Sequence, residues 1–240
     1  MDKIIIANWK MNLSVEEAKS LCSRIMDHHK NFKAKIAIAP PSIYITYLAE
    51  IFPELILASQ NLSSVTSEFG AFTGEISAKM LSEINVNYAI IGHSERRKNF
   101  GETNSEIKQK AKNAIDAGIA PIICVGEDIE IKNQEKIFEF LESQILACVP
   151  KTDKLVILAY EPVWAIGSGF SPSAEDLEEI IDQISNIISK VAKNYQIVYG
   201  GSVDGQKARL FARLKRLDGF LVGGASLNFD EFIEIVKAYA

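Results

Sequence analysis

Three ionisable side chains stand where short apolar runs end. Lys10 follows Ile4 to Ala7, His93 follows Tyr88 to Ile91, and Glu161 follows Leu155 to Tyr160. Alternate residues of a strand share a face, so Ile4, Ile6, Asn8 and Lys10 are expected to align. The same rule aligns Ala89, Ile91 and His93, and also Leu155, Ile157, Ala159 and Glu161. One polar group at the end of an apolar face is ordinary, because every strand meets water somewhere. Three together supply a cation, a hydrogen-bond donor and a base, the set needed to take a proton from carbon beside a carbonyl. An imidazole N–H and a nearby ammonium would meet the charge that this step leaves on oxygen.

A second group could hold an anion. Gly167, Gly200-Gly201-Ser202 and Gly223-Gly224 follow the apolar runs Leu155 to Tyr160, Gln196 to Tyr199 and Gly219 to Val222. Without a Cβ, backbone amides can approach phosphate oxygens closely. Any one Gly-Gly pair fits a plain turn as well; their shared position after successive strands points to a cradle. No second histidine or paired carboxylate stands at metal-ligand spacing beside these residues. His28 and His29 read as a helix C-terminus, where positive charge suits the dipole. Neither a metal nor a cofactor is expected.

The elements that must position these residues recur regularly. Lys35 to Ala39, Ile56 to Ser59 and Ala120 to Val125 bring the apolar runs to eight. Helical periodicity fills Val15 to Lys30, Glu106 to Ala117, Asn133 to Cys148, Glu175 to Lys193 and Phe229 to Ala238. Ser14 with Glu17, and Thr103 with Glu106, match the capping box, and Gly118 is placed to stop a helix. Strongly apolar strands separated by helices predict a parallel sheet, each strand followed by one helix, and the eightfold repeat predicts closure. The expected fold is therefore α/β, a closed (β/α)8 barrel spanning residues 1–240 as a single domain. In such barrels catalytic residues sit at the carboxyl ends of strands, and phosphate often rests on the loops after the last two. An open doubly wound sheet would call for a glycine fingerprint after the first strand, and Asn8-Trp9-Lys10-Met11-Asn12 has no glycine. Asn61 to Ser77 is the longest stretch without a clear element, and long structured loops are usually functional.

Composition sets the outer bounds. At 240 residues and 48% hydrophobic content, one large core can be buried. Basic and acidic residues number 26 and 31, and the net charge of -5 leaves no footprint for nucleic acid. Three isoleucines ahead of Asn8 are too few for a signal-peptide core or a membrane span. Cys22, Cys124 and Cys148 are odd in number and lack a CxxC pair, which suggests neither disulfides nor zinc. A cytoplasmic protein with no nucleic-acid or membrane partner is expected.

Longer motifs add a resemblance. Ala7-Asn8-Trp9-Lys10-Met11-Asn12, Gly70-Ala71-Phe72-Thr73-Gly74-Glu75, Ile91-Gly92-His93-Ser94-Glu95-Arg96-Arg97 and Ala159-Tyr160-Glu161-Pro162-Val163-Trp164-Ala165-Ile166-Gly167 appear in that order. Tyr199-Gly200-Gly201-Ser202-Val203 and Gly219 to Leu227 follow. Over almost its whole length the chain resembles the triosephosphate isomerase family, whose fold is the TIM barrel. The resemblance implies cofactor-free interconversion of dihydroxyacetone phosphate and glyceraldehyde 3-phosphate by a homodimer serving glycolysis and gluconeogenesis. It implies that Glu161 moves the proton, that His93 polarises the carbonyl, and that Lys10 with Asn8 holds substrate and balances charge. Glu95 and Cys124 match supporting positions, and the resemblance implies that Thr73 lies in a loop that reaches into the neighbouring subunit's site, a self-contained surface loop being the alternative. A barrel that kept the fold without catalysis, or another phosphosugar barrel enzyme such as an epimerase, are the alternatives.

The resemblance also implies a lid over 162–173, and here the chain departs from the family pattern. The lid ends in Phe170-Ser171-Pro172, with Ser168 in place of threonine before Gly169, and the run 128–135 differs too. In many members a tyrosine at the Tyr199 position bonds the amide at the Pro172 position, and proline has no such amide. Closure is therefore expected to rest on Ser202 contacting the backbone near Gly169.

Overall fold

Strands form where the apolar runs are richest in isoleucine and valine: β1 (Ile4–Asn8), β2 (Lys35–Ala39), β3 (Ile56–Ser59), β4 (Tyr88–Ile91), β5 (Ala120–Val125), β6 (Thr152–Tyr160), β7 (Ala192–Tyr199) and β8 (Gly219–Val222). The computed structural model describes residues 2–133, 136–166 and 169–239. Each strand pairs in parallel with its neighbour in chain order, and β8 returns to β1 with Ile4 opposite Gly219, so the sheet is a closed barrel. A Cβ on Gly219 would stand 1.7 Å from the Ile4 carbonyl oxygen, so the seam closes only with glycine there.

The surrounding helices are α1 (Val15–His28), α2 (Ile45–Ile51), α3 (Ala78–Glu83), α4 (Ser94–Phe100), α5 (Asn104–Asp116), α6 (Ile129–Asn133), α7 (Ile137–Cys148), α8 (Ala174–Ile188), α9 (Gly205–Phe211) and α10 (Phe229–Val236). Both predicted capping boxes are present, at the starts of α1 and α5. His28 and His29 donate from Nδ1 to the carbonyls of Arg24 and Met26, closing the last turn of α1. Apolar side chains divide into two layers. Ile4, Ile6, Ile90, Ile122, Ile157 and Val198 fill the barrel, while Ile5, Ile38, Leu57, Ile91, Leu158 and Tyr160 point outward under the helices.

Three expectations need correction. One helix per strand fails after β4 and β5, where two helices follow each; Gly101, at φ +68, ends α4 and lets the chain start again at α5. The helix expected to run to Lys193 stops at Ile188, because Ala192 and Lys193 already belong to β7, whose Ala192 pairs with Thr152 of a longer β6. The run expected from Asn133 is divided between α6 and α7, with residues 134 and 135 outside those described. Among the described residues no helix is long and apolar enough to cross a membrane.

Candidate active site

Asn8 ends β1 on the inner face and is buried. Its Oδ1 accepts the Lys10 backbone N–H at 3.1 Å, and Lys10 takes a left-handed backbone with φ +53. A residue with a Cβ adopts that conformation only where its surroundings hold it. Gln60 does so, since its Nε2 donates to the carbonyls of Lys10 and Ala39, both at 2.8 Å. The Lys10 ammonium is then aimed into the mouth of the barrel, where it pairs with Glu95 Oε1 at 2.5 Å.

His93 reaches the mouth by a different route from the one its spacing predicts. On β4 the residue inside the barrel is Ile90, while Ala89 and Ile91 face the helices, so strict alternation would carry His93 outward. Gly92 breaks the alternation with φ +68 and turns His93 inward. Arg97 fastens this kink: Nε donates to the Gly92 carbonyl at 2.8 Å, Nη2 to the Cys124 carbonyl at 3.0 Å and Nη1 to Asn104 Oδ1 at 2.7 Å. His93 caps α4, its Nδ1 accepting the Glu95 N–H at 3.2 Å. A ring nitrogen that accepts there leaves Nε2 to carry the proton, and Nε2 lies 3.3 Å from Glu161 Oε1.

Glu161 continues the inner face of Ile157 and Ala159, as its spacing predicts, and is 1% exposed. Its Oε2 accepts the Ser94 N–H at 3.1 Å, which rests the carboxylate against the start of α4. Cys124 is buried beside it, and burial first, with the Glu161 charge second, pushes its thiol well up, so it serves packing rather than nucleophilic chemistry.

Asn8, Lys10, His93, Glu161, Ser202, Gly223 and Gly224 line one cavity of about 290 Å³. Its glycines divide by cause. A Cβ on Gly200 would come within 2.8 Å of Glu161 Cγ, and one on Gly201 within 2.2 Å of the Tyr199 hydroxyl, so the first is required by packing against the carboxylate side chain and the second by packing against the Tyr199 ring. A Cβ on Gly224 would meet nothing within 4 Å, and one on Gly223 only the end of Lys10. There the missing side chains leave space for a ligand beside a 3₁₀ turn, 224–227, whose first amides have no acceptor within the turn. Gly167 lies outside the described residues. Thr73 is exposed, in the loop whose Phe69 and Phe72 also meet solvent, and does not line this cavity.

In the segment expected to form a lid, Trp164 is anchored by Glu127, which is buried and accepts from Trp164 Nε1 at 2.8 Å and from the Tyr160 hydroxyl at 3.1 Å. Burial pushes the Glu127 carboxyl up, against the lowering by these donors. Lys132 sits 3.3 Å above the Trp164 ring. The Ser202 contact differs from expectation. Its hydroxyl donates to the Ala165 carbonyl at 2.6 Å, while the Gly169 carbonyl is taken by Lys207 Nζ at 2.9 Å. Among the described residues the buried Tyr199 hydroxyl has no hydrogen-bond partner.

The structure thus brings Asn8, Lys10, His93, Glu95, Glu161, Ser202, Gly223 and Gly224 to one end of the barrel. Sequence reasoning passed over Gln60, Arg97 and Glu127. Alternation on β3, with Ala58 inside, flags Gln60; Arg97 ends the motif that begins at Ile91 but had no role assigned to it, and Glu127 carries no comparable signal.

Comparison with known proteins agrees with this geometry. The family model described as triosephosphate isomerase matches residues 3–239. A triosephosphate isomerase of Francisella philomiragia subsp. philomiragia is 39% identical over 247 residues, covering 99% of this chain and 97% of its own. One from Francisella tularensis subsp. novicida is 38% identical, with the same coverage. Another, from Orientia tsutsugamushi, is 37% identical over 244 residues, covering 99% and 98%. A barrel closed at Gly219, a lysine, a histidine and a glutamate at one mouth, and a family match from residue 3 to residue 239 place the chain in the triosephosphate isomerase family.

Proposed function

We propose that the protein interconverts dihydroxyacetone phosphate and D-glyceraldehyde 3-phosphate, serving glycolysis and gluconeogenesis. The observation that carries this reading is the approach of His93 Nε2 to the Glu161 carboxylate at 3.3 Å, in the cavity that Lys10 and the open glycines share. Glu161 takes a proton from the carbon that bears the hydroxyl, and the electron pair moves toward the carbonyl oxygen. The His93 Nε2–H donates to that oxygen and Lys10 offsets the negative charge, so an enediolate forms. Proton transfer between the two oxygens and return of the proton from Glu161 to the neighbouring carbon complete the exchange, with no redox change and no cofactor.

Substrate is held by Asn8, Lys10, Ser202, Gly223 and Gly224, with Gly167 assigned to the same task from its motif. Glu95 supports Lys10 through their ion pair. The lid excludes water while the enediolate exists, which matters because such an intermediate can otherwise expel its phosphate.

The working form is a homodimer in which the Thr73 loop enters the partner's groove. Exposed Met11 and Phe100, which line a groove beside Lys10 and His93, and exposed Phe69 and Phe72 on the Thr73 loop support this, since such apolar side chains favour cover; sedimentation as a monomer would remove the dimer from this reading. Three free, buried cysteines support a reducing cytoplasm.

A coupled assay with both triose phosphates, repeated on Glu161→Gln and His93→Ala, tests the reading. Loss of the His93 donor is expected to lower turnover at least about a hundredfold. Wild type inactive on both sugars rejects the function, and active wild type with unimpaired variants rejects the roles.

A further inference from the structure

Resting on the isomerase reading above, we propose that Lys207 is a positioning residue that holds the lid over the substrate through the Gly169 carbonyl. Lys207 stands in the first turn of α9, whose start is fixed by Asp204: one Oδ1 accepts the amides of Gln206 at 2.9 Å and Lys207 at 2.8 Å. From that fixed base Lys207 Nζ donates to the Gly169 carbonyl at 2.9 Å. Gly169, at φ +77, lines the same cavity as Lys10, His93 and Glu161, so a hold on its carbonyl is a hold on the cover of the site.

The two halves of the lid are gripped separately. Ser202 takes the near half through the Ala165 carbonyl. Toward the far end Pro172 has no amide hydrogen to offer, and the Tyr199 hydroxyl is buried without a partner among the described residues. The Lys207 bond stands in that place. A hydrogen bond from an ammonium is stronger than one between neutral groups, and here its acceptor is a carbonyl rather than a carboxylate, so the contact acts on lid backbone.

Lys207→Met keeps the side chain's length and removes the donor. Against wild type it should lower kcat/KM for the triose phosphates about three- to tenfold, mainly through KM, the scale of one net hydrogen bond where solvent screens the ammonium. It should also raise the share of turnovers that release inorganic phosphate, and weaken 2-phosphoglycolate, titrated by calorimetry, by a similar factor. The melting temperature without ligand should not change, and Lys207→Arg should restore most of each effect. A Met variant with unchanged kcat/KM, phosphate release and 2-phosphoglycolate affinity overturns the assignment, as does one with raised kcat/KM, which would mean that the bond holds the lid open. Should wild type fail to turn over either sugar, the isomerase reading falls, and the 2-phosphoglycolate titration still decides the role of Lys207.

Discussion

Gly92→Ala probes the turn that aims His93. A left-handed backbone costs a residue with a Cβ about 1–2 kcal/mol. The added methyl would also stand 2.6 Å from Ile107 Cδ1 and 2.9 Å from its Cγ1, contacts that force repacking of a fully buried residue. Overpacking of that kind costs about 1–3 kcal/mol, giving a total of roughly 2–5 kcal/mol if the backbone stays as it is. If the backbone instead relaxes to negative φ, stability recovers and His93 leaves its place, and a displacement of about 1 Å costs on the order of a hundredfold in rate. Urea denaturation at fixed protein concentration should show a lower midpoint with an unchanged slope, or else kcat should collapse. Ile107→Val, which alone costs about 0.5–1.5 kcal/mol, removes the nearer of the two contacts. Combined with Gly92→Ala it should therefore cost less than the sum of the two by about 1 kcal/mol. Wild-type midpoint and wild-type kcat together in Gly92→Ala would refute the reasoning about φ, and strict additivity in the double variant would refute the clash.

Gln60→Leu removes both bonds that hold the Lys10 backbone at φ +53; kcat/KM should fall about tenfold, chiefly through KM, at the scale of one or two net hydrogen bonds, and an unchanged KM would show that Lys10 is held by other means. Glu127→Gln should stabilise the protein in a pH-dependent way. Burial raises the folded carboxyl above its ordinary 4.5, so above that pH the folded state binds the proton more tightly than the unfolded state. Wild type therefore loses stability as pH rises from 4.5 through the raised value, and the neutral amide does not. The stability difference between variant and wild type, followed by urea titration across pH 4 to 8, should be flat below 4.5 and grow in favour of glutamine above it; parallel curves across the whole range would defeat the argument.

How far the sequence carried the structure depended on whether each feature was local. Strands were legible because isoleucine-rich runs favour the pleated form wherever they are buried on both sides, and their count implied closure. The short helices α2, α3 and α9 span six or seven residues, too little for a period of 3.6 to declare itself. Alternation placed Asn8 and Glu161 correctly because β1 and β6 run straight to their ends, and it would have found Gln60 had it been applied to β3. It failed in its reasoning at His93, where the residue arrives in the mouth because one glycine reverses the chain. Lys207 lies 38 residues from Gly169 and Arg97 lies 27 from Cys124; nothing in their local spacing distinguishes them from the other exposed or half-buried cations, because docking of one helix against another segment gives each its partner. Local rules therefore break where the site is built. Lys10 and the Gly92 turn before His93 both depart from ordinary strand geometry, and each departure is held by a side chain, Gln60 or Arg97, that the chemistry itself does not require.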